Sequence, residues 1–401
     1  MSRKLIIERR TFIYILMIYM MIIGPFIADK NAAFSLVDEI AGAYAIVYLL
    51  YNLTRKNHRE LNTYYLLIFI IVTIGLLSSL FFNIVPSIKL VFMDMFLFIK
   101  PYALFLLFAD LSKRNASLIA RKLLPIAKLL VLFLSLCWLY QILFNIQPSD
   151  SPFSSQFALM ANMAQRNWLC TASILIIMIA ANPKEKKKYM IIYLVPGLLG
   201  GLSGFGSILF SSIVFFLYVF RENKEFKLKL WQIALIAIAV FFFAYDDIAQ
   251  YLFNEFAPRS RLIRHGIETA VRYFPLGGGF ATYGSEMAAR YYSPLYYQYG
   301  FDKVWSLAYE SIAGGYSTLK DVYLGMIIGQ FGFIGLICYG MFMYKLFRYI
   351  LSRVCDKYEK TLMASILLTV CCSMVVSANT TSWWGILLFV VLGIGFAHTK
   401  A

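Results

Sequence analysis

The stretch RSRLIRHGIETAVRYFPLGGGF, Arg259 to Phe280, is strongly basic and ends on one proline and three glycines. It lies in a segment from Asp246 to Asp321 that is too polar to cross a bilayer, whereas the rest of the chain is a nearly continuous series of apolar spans. Beyond Phe280 the segment is rich in tyrosine as far as Tyr316. This contrast decides the fold class. The chain is expected to be an all-α polytopic integral membrane protein with one large loop outside the membrane.

Working outward, the composition agrees. With 61% hydrophobic, 17% aromatic and 14% charged residues, the chain carries more apolar side chains than a soluble core needs. Apolar stretches centred near residues 19, 44, 73, 98, 135, 169, 195, 212, 238, 335, 369 and 390 predict twelve transmembrane helices. Two are short: Tyr189 to Leu202 and Phe205 to Phe220 are separated by Gly200, Gly201 and Gly204, and read either as two tight spans or as one broken hairpin. The predicted division is 1–245 for the first nine helices, 246–321 for the large loop and 322–401 for the last three.

A net charge of +16 raises nucleic acid as a partner, but the placement of the charge speaks against it. Lys and Arg gather at Arg3 to Arg10, Arg55 to Arg59, Lys113 to Lys122, Lys184 to Lys188, Arg221 to Lys229 and Lys345 to Lys360, which are alternate loops. The positive-inside rule then makes both termini cytoplasmic and puts the large loop on the outer face. Arg3, Lys4, Arg9 and Arg10 before an apolar run resemble a signal-peptide start, yet no small-residue cleavage site follows, so the first span reads as uncleaved. All six cysteines lie in or beside predicted spans or on the cytoplasmic side, so neither a disulfide framework nor a metal site is indicated.

As a helix, Arg261 to Phe274 places Arg261, Arg264, Glu268 and Arg272 on one stripe, with Ile263, Ile267, Ala270, Val271 and Phe274 largely on the other side. The spacing predicts an amphipathic helix at the membrane surface. Arginine's planar paired donors match phosphate oxygens, and several converging suit a diphosphate. The plainer reading is that these arginines meet anionic headgroups or pair with Glu268. The turn PLGGGF, with Gly277 and Gly279, lets the backbone approach a ligand or another loop closely. It is no Walker loop, since no GKS or GKT follows.

Tyr283, Tyr291, Tyr292, Tyr296, Tyr297, Tyr299, Trp305, Tyr309 and Tyr316 suit sugar rings and the membrane interface equally well. Polar groups at membrane depth are Asp38, Glu39, Lys89, Asp94 and Lys100, together with Asn162, Gln165, Arg166 and Asn167. For Lys89 and Lys100, snorkelling from helix ends is the favoured reading. Arg166 stands one helical turn from Asn162.

The order of features, SRLIRHGIETAVRYFPLGGGFATYGS at the loop start and DVYLGMIIGQFGFIGL at its end, resembles the Wzy-type polysaccharide polymerases and their relatives the O-antigen ligases. The resemblance is sharp only from about Ser260 to Leu336. It implies a fold like that of the GT-C type glycosyltransferases, undecaprenyl-diphosphate-linked glycan donor and acceptor, and transfer with inversion and without metal or other cofactor. A chain-length regulator is a further partner such systems can have, and the product would belong to a capsule or a lipopolysaccharide. Carried onto this chain, the diphosphate-holding arginines are Arg261, Arg264 and Arg272. Ligase members commonly have a histidine eleven residues before the glycine that here is Gly332, and this chain has Asp321 there. That departure favours a polymerase and makes Asp321 the candidate for base or acceptor orientation. Glu310 and Glu286 follow it in preference, and His265 is a phosphate-binding candidate. A second departure is LSGFGSILF, Leu202 to Phe210, which lacks the serine-arginine pair of many members; Arg166 is the candidate for that charge. The alternatives are a ligase that passes finished glycan to a terminal acceptor and, from another class, a lipid-linked oligosaccharide flippase.

Overall fold

The computed structural model describes residues 9–27, 36–53, 61–143, 163–199, 204–220, 254, 257–314, 317–375 and 379–400. The regular elements among those residues are all helical. In chain order the helices are α1 (Arg9–Ile27), α2 (Val37–Leu53), α3 (Asn62–Phe82), α4 (Ile88–Ala109), α5 (Lys113–Leu143), α6 (Met163–Ala180), α7 (Lys186–Leu199), α8 (Gly204–Val219), α9 (Pro258–Arg272), α10 (Glu286–Tyr291), α11 (Pro294–Gln298), α12 (Tyr309–Ala313), α13 (Tyr323–Arg353), α14 (Lys357–Ser373) and α15 (Trp383–His398). Three of them, α3, α4 and α13, are long and apolar enough to cross a membrane. Shorter apolar helices lie within α1, α6, α8 and α15. Every predicted span centre falls in a helix except the one near residue 238, which lies outside the described residues. The glycine-separated pair is two helices, α7 and α8.

Isoleucine and valine in α3 are mediocre helix formers in water, but a bilayer core leaves the backbone no partner outside the helix itself. Asn83 closes α3 in the left-handed conformation (φ 43°), and its N–H returns to the Ser79 carbonyl at 3.2 Å. At the centre α4 packs against α2, α3 and α15, while α15 also lies on α5 and α6. Gly393 of α15 makes this contact close: a Cβ there would sit 2.5 Å from the Phe105 carbonyl oxygen. Tyr102 of α4 ties α13 in, with its hydroxyl 2.7 Å from that of Tyr323 and 3.0 Å from that of Tyr339.

Lys100 does not snorkel. It is buried and pairs with Asp38 at 2.5 Å, and its stem crosses α2 at Gly42, where a Cβ would lie 2.5 Å from Lys100 Cγ. A buried ammonium with a carboxylate in reach is far better off than one stretched toward distant water. Lys89, at the exposed start of α4, remains compatible with snorkelling.

The basic helix ends meet one another. Lys186 pairs with Glu359 and lies 3.4 Å from Asp356, His398 Nδ1 is 3.0 Å from Ser117 Oγ, and Lys400 Nζ is 4.0 Å from Asp110. The polar segment attaches at the other end of α3, through Ser78 and Ser79, and near the opposite end of α4, through Asp94.

Candidate functional site

Of the segment 246–321, the structure describes residues 254, 257–314 and 317–321. Pro258 opens α9, a position where its missing N–H costs nothing. The helix then packs on α13 through small and apolar side chains: Ser260, Leu262, Gly266, Thr269 and Ala270 are buried. A Cβ on Gly266 would lie 2.8 Å from the Gly325 carbonyl oxygen, so this glycine sets how closely the helices approach. The apolar residues expected opposite the arginines are therefore only partly the packing face. Ala270 is buried, whereas Ile267, Val271 and Phe274 are exposed. They form a strip between the buried face and the charged one.

Arg259, in the first turn of α9, lies 3.3 Å from Asp321, the last residue but one before α13 begins. A cation at a helix N-terminus opposes the helix dipole, and the carboxylate offsets that conflict. Burial pushes the Asp321 carboxyl above the ordinary carboxylate range; Arg259 foremost, and then Lys320, reverse part of the rise. The structure thus brings Asp321 to the arginine-bearing helix through Arg259, which the spacing of the stripe does not single out.

The glycine turn is built into a break in α13. Gly332 has φ 63° and ψ −164° inside that helix, which interrupts the ladder and frees carbonyls on its N-terminal side. Gly278 N–H donates to the Gly329 carbonyl at 2.8 Å and Gly279 N–H to that of Gln330 at 2.9 Å. Gly277 (φ 77°) rests against Gly332, and a Cβ on Gly279 (φ 90°) would lie 2.6 Å from the Ser79 backbone nitrogen. The close approach expected of Gly277 and Gly279 is thus made to α13 and α3. No room for a ligand is needed to explain their conformations.

Asp94 holds the end of this turn. Its Oδ2 accepts from Ala281 N–H at 2.6 Å and from Gln330 Nε2 at 2.9 Å, while the same amide nitrogen donates to the Tyr283 carbonyl at 3.1 Å. One buried carboxylate in α4 therefore fixes both the turn and the broken helix it plugs. Its residue type and membrane depth are visible in the sequence; these partners are not.

Several tyrosines form a second small core with Leu262, Phe301 and Leu319. Tyr283 is wholly buried, and its hydroxyl donates to the Leu262 carbonyl at 2.6 Å, so it packs the loop and presents no surface to a substrate. Tyr292 and Tyr296 are buried as well, whereas Tyr297 and Tyr309 are exposed. His265 stacks on Tyr299 at 4.5 Å and lies 2.8 Å from the Glu268 carboxylate. That placement makes it a packing and hydrogen-bonding residue of the helix face.

Arg261 is half-buried, and Arg264 and Arg272 are exposed. Arg272 donates to Gln298 at 2.7 Å, lies over the Tyr299 ring and is 3.9 Å from Glu268. Glu286 is held by Lys320 at 2.6 Å and Arg290 at 3.0 Å. Burial would raise its carboxyl, but these two cations outweigh that and hold it below the ordinary range. Glu310 is exposed in the first turn of α12, next to Tyr309, whose ring centre is 5.7 Å from that of Tyr292. Arg166 falls in the first turn of α6, but its side chain, like Asn162, lies outside the described residues.

No protein-family model, curated protein or solved structure matches this chain. An assignment of activity therefore rests on the chemistry of these residues.

Proposed function

We propose that this protein is a membrane glycosyltransferase that polymerises lipid-diphosphate-linked oligosaccharide repeat units. In this reading twelve spans carry a GT-C-like arrangement in the cytoplasmic membrane, with both termini inside and 246–321 on the outer face. The meeting of the basic helix ends, opposite the attachment of the polar segment, supports that orientation.

One observation carries the activity: a partly buried carboxylate, Asp321, is braced by Arg259 at the foot of a helix whose next turns bear Arg261 and Arg264. The acceptor sugar hydroxyl attacks the anomeric carbon of the donor, the bond to the lipid diphosphate breaks, and the hydroxyl proton passes to Asp321. Guanidinium groups offset the charge that develops on the departing diphosphate, an effect that strengthens where water is scarce. The Asp321 carboxyl, raised by burial, is a stronger base than a solvated aspartate.

Incubating the purified protein with a lipid-diphosphate repeat unit tests this. A ladder of elongated glycan is the expected result, and persistent single repeats at any enzyme concentration would sink the proposal. A ligase instead leaves the repeat unaltered until a separate terminal acceptor is added.

A further inference from the structure

Within the second core one polar atom lacks a protein partner. Tyr292 is 3% exposed, yet its hydroxyl makes no hydrogen bond among the described residues. Native structures seldom bury a hydroxyl without a use for it. The residue also has φ 54°, a conformation that a bulky side chain adopts only where its surroundings hold it. Its ring stands edge-on to Tyr297 at 4.8 Å and to Tyr309 at 5.7 Å, and those two rings are 59% and 54% exposed. Burial first, and then Asp302, Tyr297 and Glu310, push the Tyr292 hydroxyl above the ordinary tyrosine range, and in the chain Asp302 adjoins Phe301 of this core and Glu310 adjoins Tyr309. Asp302 and Glu310 are themselves exposed.

One place on the segment thus brings together a buried donor, two open aromatic faces and two carboxylates. We propose that Tyr292, Tyr297, Tyr309, Asp302 and Glu310 form a saccharide-binding subsite. A pyranose ring has a C–H face that stacks on aromatic rings and a rim of hydroxyls that carboxylates accept from and a phenol donates to. The two carboxylates repel a diphosphate or an anionic lipid headgroup, so the cluster suits the glycan and not its lipid phosphate. It shares no residue with the arginine stripe or the Arg259–Asp321 pair. The inference rests on reading the outer segment as glycan-handling, and it adds where a sugar is held.

The test is retention of the full-length protein, in nanodiscs of zwitterionic lipid, on an array of immobilised neutral and N-acetylated di- and trisaccharides. Retention by the unaltered protein is expected, cut at least about tenfold by the pair Tyr297→Ala and Tyr309→Ala, which removes both stacking faces. Tyr292→Phe keeps the ring and its packing, and should weaken retention by about threefold or more through the lost hydroxyl. Val271→Ala, exposed on α9 and outside the cluster, should be retained like the unaltered protein. Absence of retention from every saccharide, or equal retention of the double variant, overturns the proposal. So does crosslinking of p-benzoylphenylalanine at position 297 to the nanodisc lipid, which would make the patch a bilayer anchor. The array needs no donor and no turnover, so a failed elongation assay beside intact retention refutes the transferase and leaves the subsite standing.

Discussion

Arg259 and Asp321 stand 62 residues apart in the chain and 3.3 Å apart in space, which closes the polar segment at its base. The pair holds a carboxylate whose burial raises its proton affinity, and the guanidinium is the largest influence in the opposite direction. With the folded-state pKa above its ordinary value, the basic form of Asp321 appears only as pH rises through that raised value. The acid limb of elongation should therefore lie above the ordinary aspartate value of about 3.9. Arg259→Gln removes the lowering influence, so the limb should move to still higher pH. A pH profile of single-turnover transfer checks the sign; a limb that moves to lower pH contradicts the base role. Asp321→Asn should cut the rate by roughly 10²- to 10⁴-fold on the plateau above that limb and abolish the limb.

The arginines of α9 are not equivalent. Arg264 lies about 7.5 Å along the helix axis from Arg259, the partner of Asp321, whereas Arg272 lies about 20 Å along it, at the other end of the helix, where it donates to Gln298 and lies over Tyr299. Arg264→Ala should lower transfer by about 10²-fold, the usual loss for one donor to a developing anion, and Arg272→Ala by distinctly less. Both proteins should reach the membrane in normal amount. Comparable losses from the two variants, measured with purified protein, would remove the reason for separating them.

The glycine turn and the break in α13 depend on each other. Gly277→Ala and Gly332→Ala each place a Cβ against backbone and force a left-handed conformation, with an expected cost of about 1–3 kcal/mol from strain alone. Gly340 in the same helix has nothing within 4 Å of the Cβ it lacks, so Gly340→Ala should be neutral or stabilising by up to ~1 kcal/mol. Thermal unfolding in detergent decides it: equal midpoints for the three variants would mean that the turn is not seated in the break.

The helices are legible in the sequence because bilayer length and hydropathy are local properties. The arginine stripe is legible for the same reason, through helical spacing. What spacing cannot supply is the partner of a polar group. Asp94 reads as costly polarity at membrane depth, but Ala281, whose N–H it accepts, lies 187 residues away. The packing face of α9 is misleading locally, since Gly266 looks like a poor core residue until Gly325 is known to lie against it, and Thr269 is buried although polar. Tyr283 shows the same limit. Nothing in a tyrosine-rich run distinguishes the ring that fills a core from the ring that meets a ligand.

Lys100 and Asp38 illustrate how such a pair can be tested. Each is buried with the other as its counter-ion, so removing one leaves an uncompensated charge. Lys100→Met alone should destabilise the fold by about 3–5 kcal/mol, and Asp38→Asn alone by a similar amount. Replacing both together removes both desolvation penalties, and the double variant should recover most of the loss. Additive losses would instead show that the two side chains act independently. The transfer rate offers a second readout. Lys100 lies two helical turns below Asp94 on α4, so an effect on stability without one on rate would assign the pair to the frame and leave positioning of the turn to Asp94.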